Sequence, residues 1–298
     1  MSSETILIVR PGALGDTILS LPLLASIRSA YPQAKITFLG NPSYQNLLPA
    51  DIEFHSIDAA RWTWLFESVN PGQSRAAFDR AYVILKNADA VATNLVKSGT
   101  KLVFTASSSP VQGKHLVESL HEAFGLNVPP RRPALAELAP RAKSDLVWIH
   151  PGSGGSKKCI PLVTMRRLTD AIQRETGLSV AVTAGEADGF LRALPDWERL
   201  VRGPRAYLME NKPIAELCKQ LGGARLFMGN DSGISHLAAG LGVPSSVFFV
   251  ASDPIQWAPW VPPERLRIID CSESRSSWFD LESEMREILD FFHVGAVF

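Results

Sequence analysis

The sequence alternates short apolar runs with longer stretches of helical periodicity, and it does so twice. Apolar runs predict strands in the first half at Thr5–Val9, Lys35–Leu39, Glu53–Ile57, Ala81–Leu85 and Leu102–Thr105, and in the second half at Leu146–Ile149, Leu178–Thr183, Arg225–Met228 and Val243–Val250. Helical patterns start near Asp16 and cover Lys114–Phe124, Pro161–Arg174, Ile214–Leu221, Gly233–Leu241 and Glu282–Phe292. Strands that alternate with helices form parallel sheets covered on both faces. The pattern therefore predicts an α/β protein with two doubly wound, Rossmann-like halves.

A proline-rich segment, Val128–Pro133, separates the two halves. Proline lacks a backbone donor and restricts the residue before it, so neither a helix nor a central strand can run through this segment. We interpret residues 128–145 as a linker and predict one domain over residues 1–135 and a second over residues 136–298. The last predicted helix could pack back on the first domain.

Composition limits the classes of function. Lys and Arg number 30 and Asp and Glu number 30, so the formal net charge is zero, and no nucleic-acid partner is expected because such proteins need a basic field. Cys159, Cys218 and Cys271 are widely spaced and form no C-x-x-C pair, which predicts neither a zinc site nor a disulfide framework and favours a reducing, cytoplasmic compartment. No apolar run approaches the roughly 18–20 residues of a membrane span, so any membrane contact is expected to be peripheral.

Ligands of doubly wound sheets bind outside the carboxyl ends of the strands, and the first such loop is Arg10–Asp16. Gly12 and Gly15 do not have the spacing of the G-x-G-x-x-G dinucleotide motif. Two glycines allow a tight turn and a close approach of substrate to the backbone. Asp16 lies near the start of the following helix, where it can cap the helix or face the substrate, and the local pattern leaves both roles open.

The second loop, His150–Lys158, follows the first strand of the second half. Its small residues Gly152–Ser156 expose backbone N–H groups that can surround an anion, and Lys157 and Lys158 supply positive charge. The glycine spacing and the G-K-[ST] ending of a Walker A loop are missing. The pattern indicates an anion site, although an ordinary solvated loop has a similar composition.

The third motif, Asn230–His236, lies between the strand Arg225–Met228 and an apolar helix. Asp231 and Ser232 can cap this helix, whose exposed N–H groups carry the positive end of the helix dipole. His236 falls about one turn into the helix, on the same side as Ser232. A pyrophosphate is expected to be stabilised at this turn, and the alternative for His236 is a buried structural histidine.

Together, Arg10–Asp16, His150–Lys158, Asp231–His236 and Gly240–Pro244 resemble, in this order and at this separation, the heptosyltransferase-like glycosyltransferases of family 9. The resemblance extends from about residue 5 to 260. It implies a GT-B fold, in which two Rossmann-like domains face each other across a cleft. The first domain would bind the acceptor and the second the nucleotide sugar. It also implies a bacterial, cytoplasmic enzyme of lipopolysaccharide biosynthesis, peripheral at most at the inner face of the inner membrane, that needs no cofactor.

The resemblance assigns roles to individual residues. Asp16 aligns with the general base, and Gly12 and Gly15 lie in the acceptor-side loop. A nucleotide-diphosphate sugar such as ADP-heptose would be the donor, and a glycan or glycolipid the acceptor. The residues that align with donor contacts are Ser153, Gly154 and Lys158 at the phosphates, Glu186 at the ribose, and Asp231, Ser232, Gly233 and His236 in the donor-binding turn and helix.

Two departures from the family pattern stand out: Ile160 replaces an aromatic residue, and Val250–Ser252 lacks an expected glycine. No Asp-x-Asp occurs in the chain, so no metal is predicted at the diphosphate. Two other readings remain open, a catalytically silent nucleotide-sugar-binding protein and a GT-B-shaped sugar-nucleotide epimerase or hydrolase.

Overall fold

A computed structural model describes residues 3–67, 76–272 and 281–295. The chain divides into two compact units, Met1–Pro130 and Arg131–Phe298. The division falls a few residues before the boundary expected from the sequence, because the segment after Pro130 is anchored in the second unit. There Leu135 is buried and its N–H donates to the Gly240 carbonyl at 2.7 Å. The Arg131 guanidinium lies 4.4 Å from the ring centroid of Trp260.

The first unit contains a parallel sheet in the order β3-β2-β1-β4-β5. Its strands are β1 (Thr5–Arg10), β2 (Lys35–Gly40), β3 (Glu53–Ser56), β4 (Arg80–Ile84) and β5 (Leu102–Ala106), and its helices are α1 (Leu14–Ala30), α2 (Asp89–Lys97) and α3 (Leu116–Ala123), with 3-10 turns at Pro42–Leu47 and Ala60–Phe66. The central strand β1 is almost fully buried because its apolar side chains pack on both faces. Successive strands are added on one side of β1 up to β3 and on the other side from β4 onward, so the loop after β1 lies at the switch point.

The second unit repeats this plan with a parallel sheet in the order β11-β10-β9-β6-β7-β8. Its strands are β6 (Leu146–His150), β7 (Ser179–Ala184), β8 (Ala206–Glu210), β9 (Leu226–Asn230), β10 (Ser245–Phe249) and β11 (Leu266–Asp270); its helices are α4 (Leu162–Thr176), α5 (Trp197–Val201), α6 (Ile214–Leu221), α7 (Gly233–Gly240), α8 (Pro254–Trp257) and α9 (Leu281–Gly295). Short 3-10 turns lie at Ala136–Leu138, Ser156–Lys158, Glu186–Ala193 and Pro263–Arg265.

The switch point of the second sheet lies between β6 and β9. It is flanked by the loop after His150 and the turn after Asn230, which are the second and third motifs of the sequence. Helix α9 packs against α4 of its own unit, and its Ile288 belongs to that unit's core. Both sheets are parallel and helices connect many of their strands, so the α/β prediction is confirmed.

Candidate functional site

The carboxylate of Asp16 is held on both of its oxygens at the start of α1. Oδ2 accepts a hydrogen bond from the Ala13 N–H at 3.0 Å, and Oδ1 accepts one from Nη2 of Arg10 at 2.7 Å. The Asp16 side chain is still 31% exposed, whereas Arg10 is 2% exposed. Helix capping and access to a substrate, which the sequence left as alternatives, are thus compatible in one side chain.

Burial lowers the pKa of the Arg10 guanidinium, and the charge of Asp16 opposes that shift. The carboxylate therefore favours the charged form of an arginine that is almost completely removed from water. Because Arg10 is the last residue of β1, the central strand places this cation at the start of the loop that leads to Asp16.

Gly12 lies in close contact with Asp16. A Cβ atom at Gly12 would come within 2.6 Å of Asp16 Cβ and 2.9 Å of its Oδ2, so a larger residue would displace the carboxylate. Gly15 occupies the first turn of α1, next to Asp16.

Tyr44 is a third group beside Asp16, and the sequence analysis missed it. It lies in the 3-10 turn after β2, and its hydroxyl interacts with the Leu14 backbone at the start of α1. Burial raises the pKa of Tyr44, and the negative charge of Asp16 adds to that increase.

In the second unit, the structure brings Ser153 and Asp231 together. The buried Ser153 hydroxyl donates to the Asp231 carbonyl at 2.6 Å. Asn230 joins the same two segments: its Nδ2 donates to the Pro151 carbonyl at 2.7 Å, and its Oδ1 accepts from the Ile160 N–H at 3.0 Å. The amide side chain of Asn230, fully buried, thus fixes the loop after β6 against the turn after β9.

Lys158 and Asp231 form an ion pair, with Lys158 Nζ 3.0 Å from Asp231 Oδ2. The Asp231 side chain is 8% exposed and that of Lys158 is 44% exposed. The hydroxyl of Ser252, which follows the neighbouring strand β10, donates to the same Oδ2. One nearly buried carboxylate oxygen therefore accepts from an ammonium and from a hydroxyl.

Helix α7 is capped by Ser232 and not by Asp231. The Ser232 hydroxyl accepts from the Ser235 N–H at 3.3 Å, and Gly233 is the first residue of the helix. Asp231, which the sequence offered as a cap, instead bonds Lys158 and Ser252 because its side chain extends toward the loops after β6 and β10. The buried His236 places Nε2 4.0 Å from Asp231 Oδ1.

Gly154 and Glu186 both lie at the carboxyl end of the second sheet, in the loops after β6 and β7. Gly154 is exposed, and a Cβ atom there would have no neighbour within 4 Å, so a ligand can approach its backbone. Glu186 is exposed at the start of a 3-10 turn.

Asp188, two residues beyond Glu186, is buried and was not singled out in the sequence. Its Oδ2 accepts from the Gly185 N–H at 2.7 Å. A Cβ atom at Gly152 would come within 1.9 Å of Asp188 Oδ1, so the loop after β6 packs directly on this carboxylate. Burial lowers the pKa of His150, and the charge of Asp188 opposes that shift. The Asp188 carboxylate thus packs against the loop after β6 and helps to fix its position.

Among the described residues, no group of three or more His, Cys, Asp or Glu side chains could hold a metal ion. Within those same ranges, no helix combines the length and the apolar character needed to cross a membrane.

Comparison with known proteins identifies the class first. Over 96% of this chain and 99% of its own, the E. coli heptosyltransferase WaaC, solved with ADP, superposes with a TM-score of 0.73 at 16% identity. The fold is therefore that of a GT-B glycosyltransferase with Rossmann-like domains, as the sequence predicted. Residues 72–285 match the model of glycosyltransferase family 9 (heptosyltransferase), and the chain belongs to this family.

Two relatives agree with this assignment. Lipopolysaccharide heptosyltransferase 3 of Escherichia coli is 25% identical over 83% of this chain and 82% of its own length. A putative glycosyltransferase of Haemophilus influenzae is 23% identical over 80% of this chain, which spans 66% of that relative. The resemblance to family 9 is confirmed, and the protein is a heptosyltransferase-like enzyme.

Proposed function

We propose that this enzyme transfers a sugar from an ADP-heptose-like donor to a hydroxyl of a lipopolysaccharide-core or related glycan acceptor, with inversion and without a metal. The observation that carries the donor half of the proposal is the cluster of Ser153, Lys158 and Asp231 at the switch point of the second sheet. Doubly wound sheets bind nucleotides at such a point. The names of the E. coli relative and of the solved structure with ADP support this donor class.

The donor diphosphate would lie between Lys158 and the start of α7. Lys158 supplies a partly exposed ammonium, and the first N–H groups of α7 supply the positive end of the helix dipole. Gly154 offers an open backbone to the phosphates, while Ser153 contributes through its backbone because its hydroxyl bonds the Asp231 carbonyl. Glu186 would accept the ribose hydroxyls, and the segment from Asp231 to Gly233, with His236, would shape the sugar side of the site.

The acceptor would bind over the switch point of the first sheet, beside Asp16. Its hydroxyl oxygen attacks the anomeric carbon as the bond from that carbon to the diphosphate oxygen breaks, and Asp16 takes the hydroxyl proton. The products are the glycosylated acceptor and the nucleoside diphosphate. A single displacement of this kind inverts the anomeric configuration. Arg10 fixes the direction of the Asp16 carboxylate, and Gly12 leaves room for it.

The departing diphosphate gains negative charge in the transition state, so the site must stabilise it electrostatically. Lys158 and the dipole of α7 supply this stabilisation: Asp231 keeps the Lys158 ammonium beside the site in the free protein, and Ser232 already caps α7. A glycolipid acceptor would bring the enzyme to the inner face of the inner membrane through peripheral contact alone.

The decisive experiment incubates the protein with ADP-heptose and a deacylated lipopolysaccharide core that lacks its terminal heptose. We expect the acceptor to gain the mass of one heptose residue as ADP is released in equal amount. A silent binding protein would bind ADP-heptose and form no product. An epimerase or hydrolase would change the donor in the absence of acceptor, which would contradict the proposal.

A further inference from the structure

Ser252 lies at the donor cluster although it is distant in sequence from the other members. Strand β10 pairs with β9 in parallel, so the segment that follows Phe249 comes beside Asp231. The Ser252 hydroxyl donates to Asp231 Oδ2, and Lys158 Nζ donates to the same atom at 3.0 Å. This hydroxyl stands in the segment where the family pattern leads one to expect glycine.

The two donors to Asp231 differ in their surroundings. Lys158 has a long, flexible side chain that is 44% exposed, so its ammonium can turn toward a ligand. The Asp231 side chain is 8% exposed with Lys158 in place, so the protein itself supplies the donors to Oδ2. Leaving a buried acceptor without a donor is costly, more so when it is charged.

We propose that Ser252 is a positioning residue of the donor site, which keeps Asp231 Oδ2 hydrogen-bonded when Lys158 turns to the donor diphosphate. Ser252 therefore sets how tightly the site binds nucleoside diphosphates, without touching the nucleoside. This inference rests on the proposed function, because it takes Lys158 to be the residue that binds the diphosphate.

A purely structural role for Ser252 would be to anchor the segment between β10 and α8. That segment also has a local hydrogen bond that does not involve Ser252, because Asp253 caps α8 and its Oδ1 accepts from the Ile255 N–H at 2.9 Å. Removal of the Ser252 hydroxyl should therefore leave the segment folded, and its effect should depend on Lys158.

The test is titration calorimetry with ADP and with adenosine on the full chain. Ser252→Ala should weaken ADP binding about tenfold, in the range expected for a charged acceptor left without a donor, and adenosine binding should not change. Ser252→Thr retains the hydroxyl and should restore ADP affinity to within about threefold of wild type. Ser144→Ala is the matched control, because Ser144 also donates a hydrogen bond, to the Gly223 carbonyl, but lies before β6, at the opposite end of the strands from the donor cluster.

A double-mutant cycle with Lys158→Ala separates the two explanations. Without Lys158, Ser252 bonds Asp231 in the free and the bound states alike, so adding Ser252→Ala should change ADP affinity less than about twofold. Equal losses in both backgrounds, a parallel loss of adenosine affinity, or unchanged ADP affinity in Ser252→Ala would overturn the inference while leaving the proposed donor site intact. Wild-type protein that fails to bind ADP would overturn the proposed donor itself and this inference with it.

Discussion

Arg10 and Asp16 form a hydrogen-bonded ion pair in which Nη2 lies 2.7 Å from Oδ1, with the cation buried and the anion partly exposed. The last residue of the central strand thereby fixes the first acidic residue of the following helix. The second carboxylate oxygen accepts from the Ala13 N–H, so the side chain has little freedom to rotate. A general base held in this way is preorganised before the acceptor binds.

The first prediction concerns Asp16→Asn. This variant should retain ADP binding and lose transfer by about 10²–10⁴ in kcat, because asparagine cannot take the acceptor proton. Initial rates at saturating donor and acceptor, with calorimetry for ADP, measure the two effects. Asp51→Asn is the control, since Asp51 also pairs with an arginine, Arg28, in the same unit but lies before β3. Turnover of Asp16→Asn within about threefold of wild type would contradict the assignment of the base.

The second prediction concerns Arg10→Met, which keeps an apolar chain of similar length and removes the charge. The partly exposed Asp16 carboxylate can then bind water, so the loss of stability should be about 1–2 kcal/mol. The kcat should fall about tenfold or more because the carboxylate loses its fixed direction. ADP affinity should not change, because Arg10 lies in the other unit.

Arg28→Met is the control for Arg10→Met: it tests whether the loss of another arginine–aspartate ion pair that involves α1 has the same effect. Arg28 pairs with Asp51 near the other end of the helix, so its variant should keep wild-type kcat. Thermal unfolding and kcat are compared for both variants. A lower melting temperature with unchanged kcat in Arg10→Met would reduce Arg10 to a purely structural residue.

Much of this arrangement could be predicted from the sequence. Buried central strands such as β1 and β6 are continuous apolar runs, which are easily recognised in the sequence. The loops that follow their carboxyl ends, at the two switch points, could therefore be predicted as well. The strands β8 and β11 were not predicted. Both lie at the edges of their sheet; β8 has no buried residue and β11 has only two, so neither is a continuous run of buried apolar residues.

The side-chain partners were harder to predict because they depend on sheet order and turn geometry. Ser252 meets Asp231 only because β10 lies beside β9. Glu186 and Asp188 are two acidic residues in one short turn, and only the fold shows that Asp188 is the buried one. The cap of α7 also depended on local dihedral angles, since Asp231 and Ser232 are both good capping residues.

The third prediction concerns Gly12→Ala. The added methyl group would lie 2.6 Å from Asp16 Cβ, so either the loop or the carboxylate must move. We expect kcat to fall by about 10²-fold, because displacement of a reacting group by about 1 Å has effects of this size. The stability cost should be about 1–3 kcal/mol.

Gly189→Ala is the matched control for Gly12→Ala. Its added Cβ would have its nearest contact at 3.6 Å, with the flexible end of Arg192, so kcat should remain at the wild-type value. Both variants are compared by kcat and by thermal unfolding. Wild-type turnover in Gly12→Ala would mean that the Asp16 carboxylate can move without consequence for catalysis.

The last prediction is that transfer needs no divalent metal. Mg²⁺ at a diphosphate is generally held by one or two carboxylates together with the phosphate oxygens. The acidic residue nearest the proposed diphosphate is Asp231, and its Oδ2 already accepts from Lys158 and from Ser252. Whether Lys158 pairs with Asp231 or turns to the diphosphate, its ammonium stays near this carboxylate and would repel a divalent cation there. Lys158 and the start of α7 supply the positive charge instead.

Initial rates are measured after exhaustive EDTA treatment, with donor and acceptor saturating, and we expect most of the activity to remain. Loss of activity in EDTA, with recovery on addition of Mg²⁺ or Mn²⁺ and no recovery in Asp231→Asn, would instead make Asp231 a metal ligand and Lys158 its competitor.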